Sequence, residues 1–191
     1  MRTSPFVVAQ WTYDQQYSSI CLWNTQKKKP VFTQALAHGF NQVHSETEGL
    51  IETPRWITAI ASLRYSDLFA SGTCCTLSKS SHWLTQSSGS WEGTIRLWKL
   101  DPKLKSFSLV GSVPAPGVAN SLQLLPIPSD ALATASWTAV SDKPKRGAKV
   151  TSVLLVAGMG QEHRLGRWMK IQEGGAVNGT VVVALHPRTS D

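Results

Sequence analysis

A turn followed by a strand that ends in Leu-Trp recurs in this chain and limits the folds it can adopt. The clearest copy is Ser-Trp-Glu-Gly-Thr-Ile-Arg-Leu-Trp-Lys-Leu at residues 90–100. Its Glu92-Gly93 pair suits a tight turn, and the residues that follow alternate as they do in a half-buried strand. Shorter echoes lie at residues 18–24 and 164–171. A unit that recurs in this way predicts a repeat architecture of antiparallel hairpins.

The strand-forming segments group into the four-stranded blades of an all-β propeller. Residues 1–40 predict an incomplete blade, and residues 54–115 predict a blade with an insertion at 73–89. Residues 117–186 predict a last blade with a basic insertion at about 129–151. The predicted strands lie at residues 6–9, 19–24, 31–37, 55–63, 68–72, 94–100, 107–110, 121–125, 164–171 and 180–185, with a polar connection at 41–54.

Two details stay open at this point. Residues 131–136 and 153–158 both suit the second strand of the last blade, and the later segment is preferred because it runs directly into the next turn. If residues 73–89 are skipped, the sequence around them becomes a continuous hairpin, so this insertion is either a genuine loop extension or translated intron sequence.

The blade count predicts part of a larger ring. About two and a half blades are present, whereas propellers close with roughly four to eight, and each blade buries its faces only against its neighbours. The sequence is therefore expected to be the C-terminal portion of a longer propeller, or a truncated form of one.

The charge balance favours a polyanionic partner. The chain has 19 Lys and Arg against 12 Asp and Glu, a formal net charge of +7 at pH 7, which suits nucleic acid or an acidic membrane surface. Cys21, Cys74 and Cys75 lack the number and spacing of a disulfide framework or a zinc site, so a reducing compartment is expected. No apolar run reaches the ~20 residues of a membrane helix, and residues 1–10 lack the apolar core of a signal peptide.

The inventory of motifs predicts a protein that is not an enzyme. The sequence has no glycine-rich phosphate loop before a helix, no paired Cys/His metal spacing and no Gly-x-Ser-x-Gly. Serine and histidine are plentiful, but nothing in their spacing places a nucleophile beside a base. We therefore expect no catalytic residues, no metal site and no cofactor.

The run Gly-Met-Gly-Gln-Glu-His-Arg-Leu-Gly-Arg-Trp at residues 158–168 carries a specific resemblance. It resembles the last blade of the U3 small nucleolar RNA-interacting WD-repeat proteins of the U3-55K type. Three shorter runs earlier in the chain occur in the order that this family shows: Pro54-Arg55-Trp56-Ile57-Thr58, Ser66-Asp67-Leu68 and Asn120-Ser121-Leu122. The resemblance covers nearly the whole chain apart from the two insertions.

The resemblance implies a non-catalytic RNA-binding subunit of a ribonucleoprotein. Its implied location is the nucleolus, within the nucleus. Proteins of this family join the U3 box C/D ribonucleoprotein beside a kink-turn-binding protein and serve the small-subunit processome in early cleavage of pre-ribosomal RNA. The implied partners are U3 small nucleolar RNA, the box C/D core proteins and the processome, with no membrane. The alternative is a WD-repeat protein-interaction scaffold that makes no direct RNA contact.

The RNA-binding residues are expected on one rim of the propeller. In a propeller, the turn between the second and third strands of a blade emerges on the same face as the connections between blades. Guanidinium, amide and imidazole groups there suit the phosphates and splayed bases of folded RNA. The residues expected to contact RNA are Arg55, Asn120, Gln161, His163, Arg164 and Arg167.

Other residues near this rim have a structural interpretation. In WD blades an acid in the turn and a Trp on the next strand often join a buried hydrogen-bond network, since buried polar groups need partners. Such a role is expected for Glu92, Glu162, Trp98, Trp168 and His38. Trp56 precedes an apolar strand and is expected in the core rather than stacked on a base. The basic residues at 27–29 and 143–149 are expected to be solvated.

Overall fold

The computed structural model describes residues 6–11, 18–24, 26–45, 47–73, 93–128, 151–164, 166–171 and 176–186. These residues form strands, turns and connections, with no helix in that part of the chain, so the predicted all-β class is confirmed. The strands are β1 (Phe6–Trp11), β2 (Ser18–Trp23), β3 (Phe32–Gln34), β4 (Phe40–Ser45), β5 (Gly49–Pro54), β6 (Ile57–Ser62), β7 (Leu68–Thr73), β8 (Gly93–Leu100), β9 (Phe107–Ala115), β10 (Val118–Pro128), β11 (Thr151–Gly160), β12 (Glu162–His163), β13 (Gly166–Lys170) and β14 (Gly179–Leu185).

Three main antiparallel sheets follow one another along the chain. The first is β1-β2-β3, the central one is β6-β7-β8-β9, and the last is β10-β11-β14. In the central sheet β7 pairs directly with β8, although residues 74–92 separate them in sequence. Thr73 belongs to β7, where it lies opposite Ile57, and the rest of the predicted insertion lies outside the described part of the chain.

The strand pairing in the last sheet selects one of the two candidate second strands and contradicts the predicted third strand. β10 pairs with β11, so residues 153–158 supply the second strand, whereas residues 131–136 lie outside the described part of the chain. The prediction that residues 164–171 form the third strand is wrong, because β14 occupies that place beside β11. Part of the segment forms β13, which pairs with β12 instead. The amide of Ile171 donates to the carbonyl of Gln161 at 2.8 Å and closes this small hairpin. We call the β12–β13 hairpin between β11 and β14 the excursion.

The predicted polar connection at 41–54 is also wrong, because β4 and β5 form a hairpin there. The hydroxyl of Ser45 accepts the amides of Thr47 and Glu48 at 3.4 and 3.3 Å, a local pattern that supports a turn. Gly49 follows with a φ of 75°, which glycine adopts without steric cost. A hairpin satisfies its inner backbone groups by itself, so a polar sequence can form one outside the main sheets.

Two apolar clusters pack the main sheets face to face. The cluster between the central and last sheets includes Ile95 and Leu155, both fully buried. The cluster between the first and central sheets includes Ile20, Phe69 and Trp98, and the Phe69 and Trp98 rings stack with centroids 6.2 Å apart. Because successive residues of a strand face opposite ways, the central sheet is buried on both faces.

Candidate nucleic-acid interface

Strand pairing brings one end of the central sheet and one end of the last sheet together. We call the edge that carries Arg55, Asn120 and Gln161 the candidate face. Arg55 stands just before β6, and β6 pairs from its first residue with the end of β7. Asn120 lies near the start of β10, which pairs with the end of β11, and Gln161 follows β11. The hydroxyl of Thr58 donates to the carbonyl of Ala119 at 2.7 Å and so joins the two sheets at this edge.

Close backbone contacts fix the candidate face. A Cβ atom added to Gly93 would lie 2.5 Å from the carbonyl oxygen of Gly117. One added to Gly117 would lie 2.8 Å from the carbonyl oxygen of Gly160, and Gly117 has a φ of +115°. The starts of β8 and β10 and the end of β11 therefore meet through backbone that only glycine permits at these distances.

The side chain of Asn120 holds the turn that follows β11. Its Nδ2 donates to the carbonyl of Glu162 at 2.8 Å, and its Oδ1 accepts the amide of Arg164 at 2.9 Å. Each half of the amide thus bonds the backbone of the 162–164 turn. The expected RNA contact of Asn120 stays a prediction, but its observed contacts are those of a residue that positions others.

Gln161 anchors the other side of the same excursion. Its Nε2 donates to the carbonyl of Ala176 at 2.9 Å, and its backbone amide donates to Oδ1 of Asn178 at 2.9 Å. Like Asn120, Gln161 is tied into the backbone of the candidate face.

The excursion carries two further candidates whose side chains are described. Arg164 is exposed. Burial, and after it the charge of Arg164, lower the pKa of His163, so its imidazole is neutral at pH 7. Glu162 lies 3.9 Å from the ammonium of Lys170, an ion pair within the excursion. Arg167 lies in β13, but its side chain is outside the described residues.

Arg55 belongs to a second group, at the junction between the first and central sheets. Its Nε donates to Oδ1 of Asn41 at 3.0 Å, and its backbone amide donates to the carbonyl of Gly39 at 3.0 Å. Asn41 itself is buried. The candidate residues therefore form two groups along the face, one around Asn120 and one around Arg55.

The expected buried network is present around Ser71. The indole Nε1 of Trp98 donates to the Ser71 hydroxyl at 2.8 Å, and Nε2 of His38 lies 2.7 Å from the same oxygen. Burial lowers the pKa of His38 to about 3, helped by the charges of Arg96 and Arg55. His38 and Trp98 thus have the structural role predicted for them, whereas Glu92 and the side chain of Trp168 lie outside the described residues.

Sequence reasoning missed Arg96, which reaches from β8 toward the first sheet. Its Nη1 donates to the carbonyl of Ala37 at 2.6 Å. Burial and the charge of Arg55 lower the pKa of Arg96. A signal was available in the repeat itself, because Ile-Arg-Leu-Trp has its counterpart in Ile-Cys-Leu-Trp, where Cys21 is buried. A charged residue at a position that is buried in the other copy of the repeat indicates that its side chain has a specific hydrogen-bond partner.

The prediction that Trp56 belongs to the core is wrong, because its side chain is 47% exposed. β6 directs Ile57 into the core, and alternation turns the preceding residue outward. An exposed indole next to Arg55 is a group on which a base can stack. Lys27, Lys28 and Lys29 are exposed as predicted, whereas the basic residues at 143–149 lie outside the described ranges.

Neither a metal centre nor a membrane span is found in the described ranges. No group of three or more His, Cys, Asp or Glu residues there has the geometry to hold a metal ion. The same ranges contain no helix of the length and hydropathy that crossing a bilayer requires.

The chain is similar over most of its length to several known proteins. No protein-family model matches it. Ribosomal RNA-processing protein 9 of Saccharomyces cerevisiae is 31% identical over 178 residues, covering 84% of this chain and 25% of that protein. U3 small nucleolar RNA-interacting protein 2 of Homo sapiens is 30% identical over 167 residues, covering 87% of this chain and 25% of that protein.

Among solved structures, the crystal structure of the RRP9 WD40 repeats matches with a TM-score of 0.54 and 28% identity. The match covers 88% of this chain and 36% of that one. This likeness confirms the WD-repeat propeller class predicted from the recurring Leu-Trp strand. The chain spans about a quarter of the length of the relatives it matches.

Proposed function

The chain is a homologue of the U3-associated WD-repeat proteins, and from this relationship we propose that it is a non-catalytic subunit that binds U3 small nucleolar RNA. In this proposal it belongs to the box C/D ribonucleoprotein, next to core proteins that include a kink-turn-binding protein. It acts in assembly of the small-subunit processome and in processing of pre-ribosomal RNA, in the nucleolus.

The observation that carries the RNA contact is the way Arg164 is presented. Its backbone amide is held by Asn120, yet its side chain is exposed on the candidate face. Because the backbone of Arg164 is already held, the ordering cost of binding phosphate or a base edge falls on its side chain alone. The exposed ring of Trp56 at the same face adds a surface for base stacking.

The candidate residues take different roles in this proposal. Arg55, Arg164 and Arg167 contact phosphates or base edges, and His163 contacts a base as a neutral imidazole. Asn120 and Gln161 position the turn that carries His163 and Arg164.

A protein-interaction scaffold is the second candidate. It is favoured by two exposed apolar side chains on the β4–β5 hairpin, Phe40 at 37% and Leu50 at 58% exposure. Such side chains suit a protein partner more than RNA. The two proposals differ in what a charge substitution does, because only RNA binding should weaken steeply with salt.

Binding of the full chain to a U3 RNA fragment and to an unrelated RNA of equal length tests the proposal across a salt series. We expect tighter binding of the U3 fragment, and about tenfold weaker binding for Arg164→Gln. The matched control is Arg64→Gln, because Arg64 is exposed in the turn between β6 and β7, at the opposite end of the central sheet. Equal binding of both RNAs, or an identical loss in both variants, would contradict the proposal.

A further inference from the structure

Two arginines from different elements converge between the first and central sheets. Arg96 extends from β8 to the carbonyl of Ala37, and Arg55 extends from the start of β6 to the side chain of Asn41. Both arginines are partly buried. In the described part of the chain the ion pairs are Lys99 with Asp67 and Lys170 with Glu162, so neither arginine has a carboxylate partner there.

The two positive charges are close enough to act on each other and on the histidine between the sheets. The charge of Arg55 contributes to the lowered pKa of Arg96, after burial. Both charges contribute to the lowered pKa of His38, again after burial. His38 is therefore neutral at pH 7, and the cluster carries two positive charges that no carboxylate of the described residues compensates, in a partly desolvated place.

A buried donor without a partner lies beside these charges. Asn41 is only 8% exposed, and its Nδ2 has no hydrogen-bond partner among the described residues. Because Oδ1 of the same planar amide accepts from Nε of Arg55, the orphan Nδ2 is held next to the Arg55 guanidinium. Buried donors in native proteins are nearly always satisfied, so an orphan donor next to the Arg55 cation indicates a site for an acceptor.

We propose that Arg55, Arg96 and Asn41 form a pocket that binds a phosphate group. Two guanidinium groups and one amide supply only donors, and phosphate oxygens accept several such bonds at once. This assigns new binding roles to Arg96 and Asn41. It rests on the proposed function only for the source of the phosphate, since an RNA backbone phosphate and free inorganic phosphate share this chemistry.

The pocket is tested first with inorganic phosphate and the full chain. Phosphate at low millimolar concentration, where its general stabilising effect as an excluded salt is small, should raise Tm, whereas sodium chloride at matched ionic strength should not, because a bound ligand stabilises by mass action. Arg96→Gln should lose the phosphate-dependent shift, and Arg64→Gln, at the opposite end of the central sheet, should keep it. No phosphate-dependent shift in the wild type, or an equal shift in Arg96→Gln, would overturn the pocket.

Asn41→Asp provides a second test that does not depend on removing an arginine. The aspartate keeps the oxygen that accepts from Arg55 and replaces the orphan donor with an acceptor for the two cations. We expect this variant to have a Tm higher by about 2–8 °C and to lose the response to phosphate. A lower Tm with an unchanged phosphate response would mean that no anion site exists here.

The source of the phosphate is decided with the U3 RNA fragment. If Arg96→Gln weakens RNA binding and reduces the salt slope by about one, the phosphate comes from the RNA backbone. If RNA binding is unchanged while the inorganic phosphate shift is lost, the pocket takes free phosphate. If the wild type binds no U3 RNA but keeps the shift, the proposed function fails and the pocket stands.

Discussion

The ring of His38 and the hydroxyl of Ser71 are 2.7 Å apart, and this contact joins the segment after β3 to the middle of β7. The same hydroxyl accepts the indole N–H of Trp98, so one small side chain connects two large ones. All three residues are buried, which makes the Ser71 oxygen the centre of a polar network inside an otherwise apolar packing layer.

Replacing Ser71 with alanine should therefore destabilise the chain more than its size suggests. The substitution leaves the indole N–H and the imidazole nitrogen without their shared partner, at a cost of about 1–3 kcal/mol. Urea unfolding measures the loss, and Ser62→Ala, an exposed position in the neighbouring strand β6, is the matched control. Equal stability of the two variants would show that the network contributes nothing.

The stability of the chain should fall as the pH drops below neutral. His38 titrates near 6.5 when unfolded but at about 3 when folded, so the unfolded state takes up its proton first. The stability that comes from neutral His38 is complete above pH 6.5 and is lost as the pH falls toward 3. We expect a loss of about 2 kcal/mol between pH 7 and pH 5. Urea midpoints at these pH values should vary less in His38→Gln, and an equally steep decline there would assign the effect to other groups.

Asn120→Ala should loosen the turn after β11 without unfolding the sheets. The amide of Arg164 loses its acceptor and the carbonyl of Glu162 loses its donor. Hydrogen exchange at the Arg164 amide should accelerate by at least tenfold, which corresponds to about 1.4 kcal/mol of local opening. Amides in the middle of β8 should exchange at the wild-type rate, and faster exchange throughout the chain would instead indicate global destabilisation.

Gly72→Ala should be costly, whereas Gly111→Ala should not. A Cβ atom on Gly72 would lie 2.5 Å from Cβ of Ala119 in the facing sheet, and one on Gly111 would meet no described atom within 4 Å. Overpacking of this kind costs about 1–3 kcal/mol. Thermal unfolding of the two variants compares them directly, and similar Tm values would mean that the sheets separate at this point without penalty.

The sheets could be predicted from sequence because the relevant signals are local. Alternation and β-branched residues mark β8, and its Leu-Trp ending identifies the repeat. The pairing of β10 with residues 153–158 followed from their position directly before a turn. These signals lie within a few residues of the structure that they predict.

The errors arose where tertiary contacts decide. Asn120 and Asn178 stabilise the excursion after β11 from distant positions in the sequence, and no local pattern shows those bonds. The exposure of Trp56 depends on which face Ile57 presents to the first sheet. Arg96 looked like an ordinary strand residue because its partner, the carbonyl of Ala37, comes from another sheet.

Because β7 pairs directly with β8, a probe can be inserted into the sequence between these two strands. Because the hairpin forms across residues on either side of 74–92, added length there costs only about 0.6 kcal/mol for each doubling of the loop. Thr73 and Gly93 both lie at the edge that includes Arg55. A fluorophore or an affinity tag introduced between them would be tethered above that edge, where it would report occupancy while the strands remain paired.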